Sequence, residues 1–215
     1  MVSLVFSHNQ IILPPSKPVK KTASNQIRIN AGVWRSRLLK FPDVEGLRPT
    51  PERVRITVFN WLGQDLTGKT CLDLFAGTGA FGFEALSRNA KHVTMVENSR
   101  LAYQSLLQNQ IAFKADSCEI LNQDALLFLK NSAQKFDIIF CDPPFNKGWF
   151  GTYSPSPQPS PIKGEGILST LQAHLAVDGV VYVEAEFKIK SDATWQVLKQ
   201  NKAGNVYYHL LSSLN

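Results

Sequence analysis

Beyond Gly68 the chain alternates short apolar runs with longer amphipathic ones. The apolar runs cover 70–75, 92–97, 118–121, 136–141 and 179–184, and most of the stretches between them repeat apolar residues at helical spacing. Strands separated by helices imply right-handed βαβ crossovers and a parallel sheet covered on both faces. Near the C-terminus, 194–200 and 206–211 flank Ala203-Gly204-Asn205 and predict an antiparallel hairpin. The expected fold class is α/β, a doubly wound, mostly parallel sheet finished by that hairpin.

Before Gly68 the pattern changes. Residues 1–25 carry Pro14, Pro15 and Pro18 and turn polar beyond Leu13, which predicts a flexible leader. From Gln26, Ile27 and Ile29 alternate with Arg28 and Asn30, Ala31-Gly32 makes a turn, and 33–40 continues as a second extended segment, so 26–45 reads as a small basic N-terminal β extension. Alternation there puts Arg35 and Arg37 on one face, with Trp34 and Leu38 toward the body. Thr50 offers an N-cap hydroxyl and Pro51 the first helical position, after which Val54, Val58, Trp61 and Leu62 recur at helical spacing to about Gly63. The main domain spans 46–215. It is interrupted at 151–166 by GTYSPSPQPSPIKGEG, which no helix or central strand accommodates and which is expected to be a loop or disordered insert projecting into solvent.

Charge sharpens this division. The net charge is +6, yet residues 1–55 hold ten Lys and Arg against three Asp and Glu, and the remainder is close to neutral. A basic leading segment on a neutral body suggests a polyanion partner, and Arg28, Arg35 and Arg37 are the candidates for phosphate contacts that position nucleic acid without reading its sequence. The apolar run at 2–6 is short and lacks a basic flank, so neither a signal peptide nor a membrane span is expected. Cys71, Cys118 and Cys141 cannot all pair, and none lies in a C-x-x-C spacing. A reducing cytoplasm and no metal are expected.

The chemistry gathers at strand ends. Asp73-Leu74-Phe75-Ala76-Gly77-Thr78-Gly79 leads from the first parallel strand into a helix, and its glycines let backbone approach a ligand at the helix N-terminus. With Gly82 the spacing also fits a dinucleotide fingerprint, and Glu97 ends the next strand where a ribose hydroxyl needs a carboxylate, so NAD and S-adenosylmethionine both fit. Asp73 favours the second, because a carboxylate at the loop mouth repels pyrophosphate but can organise NH groups and water around an ammonium. Asp124, after the third strand, is either an acceptor for an adenine amino group or a helix N-cap.

Asp142-Pro143-Pro144-Phe145 follows the buried strand 136–141. In a doubly wound sheet the first and fourth strands lie side by side where the order reverses, so this loop faces the glycine loop. Consecutive prolines leave an acceptor-only rim, the Asp142 carboxylate and the Pro143 carbonyl, suited to an amine that must give up both hydrogens. Accepting them frees the nitrogen lone pair, and Asp142 stabilises the charge that develops on nitrogen. Phe145 can stack on a base.

Asp-Pro-Pro-Phe resembles the motif of amino methyltransferases, which use S-adenosylmethionine. More closely, Gln26-Ile27-Arg28-Ile29, Gly46-Leu47-Arg48-Pro49-Thr50, Arg53-Val54-Arg55, Phe59-Asn60-Trp61-Leu62, the run from Leu72 to Ala80, and Glu84-Ala85-Leu86-Ser87-Arg88 resemble the bacterial RsmD family. That family methylates the 2-amino group of one guanine in small-subunit 16S ribosomal RNA, on a Rossmann-like class I methyltransferase fold. The resemblance implies that Asp73, Ala76, Gly77, Gly79, Glu97 and Asp124 surround the cofactor and that Arg48 with Thr50 closes over its methionine end. It implies that Asp142, Pro143 and Phe145 hold the guanine, and that the basic extension touches RNA. The implied partner is ribosomal RNA or an assembling small ribosomal subunit, bound by a cytoplasmic monomer. The rival readings are an amino methyltransferase acting on DNA or protein, and an inactive RNA-binding relative. The long leader and the 151–166 insert depart from the family pattern without removing a motif residue.

Overall fold

The computed structural model describes residues 25–44, 46–144, 149–150 and 166–214. Its centre is a seven-stranded sheet built from β3 (Thr70–Asp73), β4 (His92–Glu97), β5 (Cys118–Asn122), β6 (Phe136–Cys141), β7 (Leu175–Ala185), β8 (Trp195–Ala203) and β9 (Val206–Ser213). The order is β5-β4-β3-β6-β7-β9-β8, with β5 through β7 parallel and β9 antiparallel to both its neighbours. The order therefore reverses between β3 and β6, the first and fourth strands of the parallel set. Hydrophobic runs on both faces explain the burial: Cys71, Ile138, Phe140 and Tyr182 point to one layer, and Leu72, Ile139, Cys141, Val181 and Val183 to the other.

The first layer packs against α1 (Glu52–Leu62), α2 (Ala80–Ser87) and α3 (Arg100–Phe113); the second packs against α4 (Ala125–Asn131) and α5 (Ile167–Gln172). Phe59, Phe81 and Phe140 form a ring cluster at the centre of the first layer, with centroids 4.9–6.2 Å apart. Cys71, Cys118 and Cys141 are all unpaired and buried, on β3, β5 and β6. Burial pushes the Cys71 and Cys118 thiols up to about 12 and Cys141 well above its usual value. Among the described residues no helix is long and apolar enough to cross a membrane, and no group of three or more potential metal ligands occurs.

The N-terminal extension differs from its sequence reading. β1 (Asn25–Arg28) and β2 (Leu38–Phe41) pair antiparallel, but 33–36 is a set of tight turns and not a strand. The backbone donors explain this: Val33 N and Trp34 N go to the Ser87 carbonyl and hydroxyl at the end of α2, at 2.7 and 2.9 Å. Gly32 is required for that docking. Its φ is +79°, and a Cβ there would sit 1.7 Å from the Ser87 carbonyl oxygen. Arg35 and Arg37 consequently do not share a strand face. Trp34 does pack inward, on Phe83 and Phe113, but Leu39 is the buried partner and Leu38 is 41% exposed.

α1 begins at Glu52 with Pro51, which has no polar side chain, as its uncapped N-cap; the Thr50 hydroxyl stands one residue too early to cap it and donates to Asp142. Val54 and Val58 are buried as its spacing requires; Phe59 joins them, while Trp61 and Leu62 are half-buried. β3 ends at Asp73, short of 75, although Leu74 N and Ala76 N still reach the carbonyls of Phe140 and Val96 as the chain leaves the sheet. Of the expected leader, 1–24 lies outside the described residues and Asn25 already belongs to β1; of the expected insert, 151–165 lies outside them and Gly166 is the N-cap of α5.

The extension and α1 are fastened to α2 by one carboxylate. Glu84 is fully buried and accepts from Arg88 (Nη2 2.8 Å, Nε 3.0 Å), from Asn30 N (2.8 Å) and Ala31 N (3.0 Å), with Arg55 Nη1 at 3.6 Å. Removing this carboxylate leaves two buried guanidinium groups without their counter-charge and two backbone donors without an acceptor. Glu84→Ala is expected to lower the unfolding free energy by about 3–5 kcal/mol, read by urea denaturation, whereas Glu52→Ala at an exposed position should change it far less.

Candidate active site

The glycine loop is held from two directions. Gly79 is the N-cap of α2 at φ +76° and has no side chain to cap it. Asp73, at the end of β3, supplies what Gly79 lacks, its Oδ2 accepting Gly82 N at 3.0 Å. Burial raises the Asp73 carboxyl to about 7, and the nearby Glu97 charge adds to the rise. Gly79 N closes the loop on the Ala76 carbonyl at 2.6 Å. Glu97, ending β4, accepts Gly77 N (2.8 Å) on one oxygen and Ser99 N (2.6 Å) on the other, tying the loop to the N-cap of α3. Each of its oxygens keeps a second lone pair for a ligand.

Asp124 sits after β5 and acts as the N-cap of α4, with Oδ1 accepting Leu126 N and Leu127 N at 2.9 and 3.1 Å. Arg48 is exposed in the segment before α1, whose Leu47 leans on the glycine loop: a Cβ at Gly77 would lie 3.2 Å from Leu47 Cδ1.

The adjacency of β3 and β6 brings the Asp142 loop against the glycine loop. Thr50 Oγ1 donates to Asp142 Oδ2 at 3.3 Å, so the segment before α1 reaches across to the acceptor. Loss of solvent around the Asp142 carboxyl pushes it well above the usual carboxylate range, the Glu184 charge pushes the same way, and the Thr50 hydrogen bond opposes them. Pro143 is buried behind it. The Pro144 carbonyl is taken by Trp149 Nε1 at 3.2 Å, and the Trp149 ring meets Phe75 edge-on at 5.0 Å, which joins the two loops by an aromatic contact. Phe145 lies outside the described residues.

Three of the arrangement's residues escaped the sequence reading. Glu184 and Tyr182 stand near the end of β7, and Glu184 closes the fifth apolar run just as Glu97 closes the second. A carboxylate at the C-terminal end of a parallel strand was a usable signal. Trp149 had no such signal, since its contacts come from a loop.

The charge of this edge selects its ligand. Asp73 and Glu97 end β3 and β4, Asp142 directly follows β6, and Glu184 is the last residue but one of β7, all at one edge of the sheet. The helix N-terminus that would receive a pyrophosphate is already capped by Asp73. An acidic edge of this kind fits a sulfonium with an amino-acid ammonium and disfavours a dinucleotide. A doubly wound sheet with this edge and an acceptor loop at its switch point defines a Rossmann-like methyltransferase with S-adenosylmethionine as cofactor. Asp73, the 76–79 loop and Glu97 lie together at this edge, beside the switch point.

The model of the family described as Conserved hypothetical protein 95 matches residues 27–212, and the chain belongs to that family, the RsmD family its motifs resemble. It is 38% identical over 199 residues to the ribosomal RNA small subunit methyltransferase D of Escherichia coli K12, covering 90% of this chain and 93% of the relative. The Haemophilus influenzae protein of the same name is 38% identical over 196 residues, covering 87% of this chain and 94% of that one. A solved E. coli structure, described as the methyltransferase yhhF, superposes with a TM-score of 0.71 at 39% identity, over 87% of this chain and 97% of its own. One from H. influenzae, described as a methylase, gives 0.68 at 34% identity, over 89% and 100%.

Glu97→Ala is expected to weaken S-adenosylhomocysteine binding roughly 10- to 100-fold, measured by calorimetric titration. Unchanged affinity would separate Glu97 from the cofactor.

Proposed function

We propose that this protein methylates the exocyclic 2-amino group of a guanine in small-subunit ribosomal RNA. The observation that carries the reading is the acceptor rim at the switch point: the Asp142 carboxyl, held by Thr50, with the Pro143 carbonyl beside it and the cofactor loop opposite. The names of the relatives support the substrate, and the excess of positive charge in the first 55 residues suits a polyanion.

When bound, S-adenosylmethionine supplies a methyl group activated by its sulfonium. The protein's own work is done on the amine. A guanine amino nitrogen is a poor nucleophile because its lone pair is delocalised into the ring; Asp142 and the Pro143 carbonyl accept its two hydrogens and turn that lone pair outward. Asp142 must be ionised to do so, and it then faces the positive charge that grows on nitrogen. A paired base cannot present its amine to a recessed loop, so the guanine is unpaired or flipped out. Phe145, next to the rim in sequence, is assigned to stacking on the base. The backbone of Ala76, Gly77 and Gly79 is assigned to the cofactor, Asp124 to its adenine amino group through the oxygen that α4 does not use, and Arg48 with Thr50 to its methionine end.

Asp142→Ala should lower single-turnover methylation of small-subunit RNA lacking the modification by about 10²-fold or more, while S-adenosylhomocysteine affinity stays unchanged. Wild-type rates in the variant would end the acceptor-rim mechanism. Faster methylation of duplex or single-stranded DNA than of RNA by the native protein would replace RNA as substrate.

RNA phosphate is assigned to Arg28, Arg35 and Arg37, with a division of labour among them. Arg28 Nη1 donates to the Ser36 carbonyl at 3.2 Å, and Arg37 donates to the Ala112 carbonyl at 2.6 Å with its guanidinium 4.1 Å from the Phe113 ring centroid. Arg35 is exposed at the turn. Arg35→Ala should reduce the slope of log affinity against log salt by about one, the loss of one phosphate contact, with the melting temperature unchanged. Arg37→Ala should lower the melting temperature as well, because it also anchors the extension to α3.

A further inference from the structure

The acceptor rim needs one carboxylate, and the structure sets two there. β6 and β7 run parallel with Phe140 beside Tyr182 and Cys141 beside Val183. Side chains alternate along strands, so the next positions, Asp142 and Glu184, stand side by side on the face that carries Phe140 and Tyr182. Glu184 is only 7% exposed, and its Oε1 accepts the Tyr182 hydroxyl at 2.6 Å. Tyr208 is its register partner on β9 and is also buried. Among the described residues, the groups facing the Asp142 carboxyl are Glu184 and Tyr182 from β7, Asp73 from β3, the neighbouring Cys141 and the Thr50 hydroxyl; those facing Glu184 are Asp142, Tyr182 and Tyr208. None of these is a cation.

Two neighbouring carboxyls, Asp142 half-buried and Glu184 buried, with no cation among the described residues that face them, disfavour double ionisation. The arrangement costs stability, since a glutamine at 184 could keep the Tyr182 hydrogen bond and lose the repulsion. A second carboxyl in that place points to a task beyond packing. We propose that Glu184 is a positioning residue for methyl transfer, holding Asp142, through their side-by-side carboxyls, as the base that receives the proton released by the methylated amine.

This inference rests on the amine-methylation reading above. As the nitrogen lone pair forms the new bond to the methyl carbon, the carbon–sulfur bond breaks with its electron pair left on sulfur, and the positive charge passes to nitrogen. Neutrality returns when one N–H proton moves to the Asp142 carboxylate, from which it leaves to solvent. A carboxylate takes that proton only while it is ionised and aimed at the nitrogen. A negative Glu184 alongside raises the basicity of Asp142 and fixes its place, and the Tyr182 hydroxyl, by donating to Glu184, opposes the upward push of burial on the Glu184 carboxyl.

The sign of the pH dependence follows. Burial and Glu184 both push Asp142 upward, and the reaction needs it ionised. The rate therefore rises with pH through a midpoint above the ordinary carboxylate range. Removing the Glu184 charge takes away one upward push, so the midpoint falls.

The test pairs two measurements on the full-length protein: the Asp142 carboxyl titrated by carbon-13 NMR without ligands, its signal identified by loss in Asp142→Asn, and single-turnover methylation against pH. In Glu184→Gln both midpoints should fall by about one pH unit or more. The plateau rate should fall roughly 10-fold or more, and KM for RNA and S-adenosylhomocysteine affinity should stay within about a factor of three of the native values. Tyr182→Phe should move both midpoints the same way by less, and Glu184→Asp should restore them. An unmoved NMR midpoint in Glu184→Gln overturns the proposal, as does a moved NMR midpoint with an unmoved rate midpoint. If Glu184→Gln does not fold, Tyr182→Phe decides by the same two readings. A native protein that methylates no nucleic acid while the NMR midpoint still shifts overturns the functional reading and leaves the carboxyl pairing standing.

Discussion

The buried Glu84 carboxylate is the constraint on which the front of the molecule depends. It gathers donors from the N-terminal extension, from α1 and from its own helix, and Arg55 extends the same network by donating to the Arg28 carbonyl and the Asn30 side chain at 3.1 and 2.8 Å. Arg55 Nε also reaches the Thr50 carbonyl at 3.4 Å, and Thr50 in turn donates to Asp142. A chain of polar contacts thus runs from a structural anion under the extension to the acceptor at the switch point. Such a network is favourable only when every member is satisfied. Here Arg88 also lies over the Phe59 ring, its guanidinium 4.6 Å from the centroid, so the cation is covered on its flat face as well as at its edge.

The opposite economy rules the sheet edge. Where Glu84 is surrounded by donors, Asp73 and Asp142 are left with few of them, and their carboxyls rise accordingly. Parallel strands end with their side chains converging on one rim, and a rim of carboxyls is strained until a cation or an amine arrives. The fold therefore stores its electrostatic strain at the strand ends and relieves it where the extension is attached.

Much of this was legible in the sequence. The strand runs at 92–97 and 136–141 coincide with β4 and β6, the C-terminal hairpin turns at Gly204, and the facing of the glycine loop and the Asp142 loop follows from topology alone. The turn at 33–36 was not, because its donors are satisfied by Ser87, more than fifty residues away, and local alternation cannot report a distant acceptor. Thr50 misled by one position: the helix takes Pro51 as its N-cap, and the Thr50 hydroxyl, left free of the cap, donates to Asp142 more than ninety residues away, a partner local pattern cannot report. Asp73 and Glu97 do end their strands at the edge, as their places after the apolar runs suggest, but their hold on Gly82, Gly77 and Ser99, which shapes the loop, had no signal in the sequence.

Cys141 immediately precedes the acceptor carboxyl, and a thiolate is a far stronger nucleophile toward an activated methyl than any base amine. Strand alternation turns its side chain into the second layer, away from the face of Phe140 and Tyr182, and burial keeps its thiol protonated. With Asp142 as the proposed acceptor, the thiol next to it in sequence is turned to the other face of the sheet and kept protonated, which would spare the methyl group a competing nucleophile.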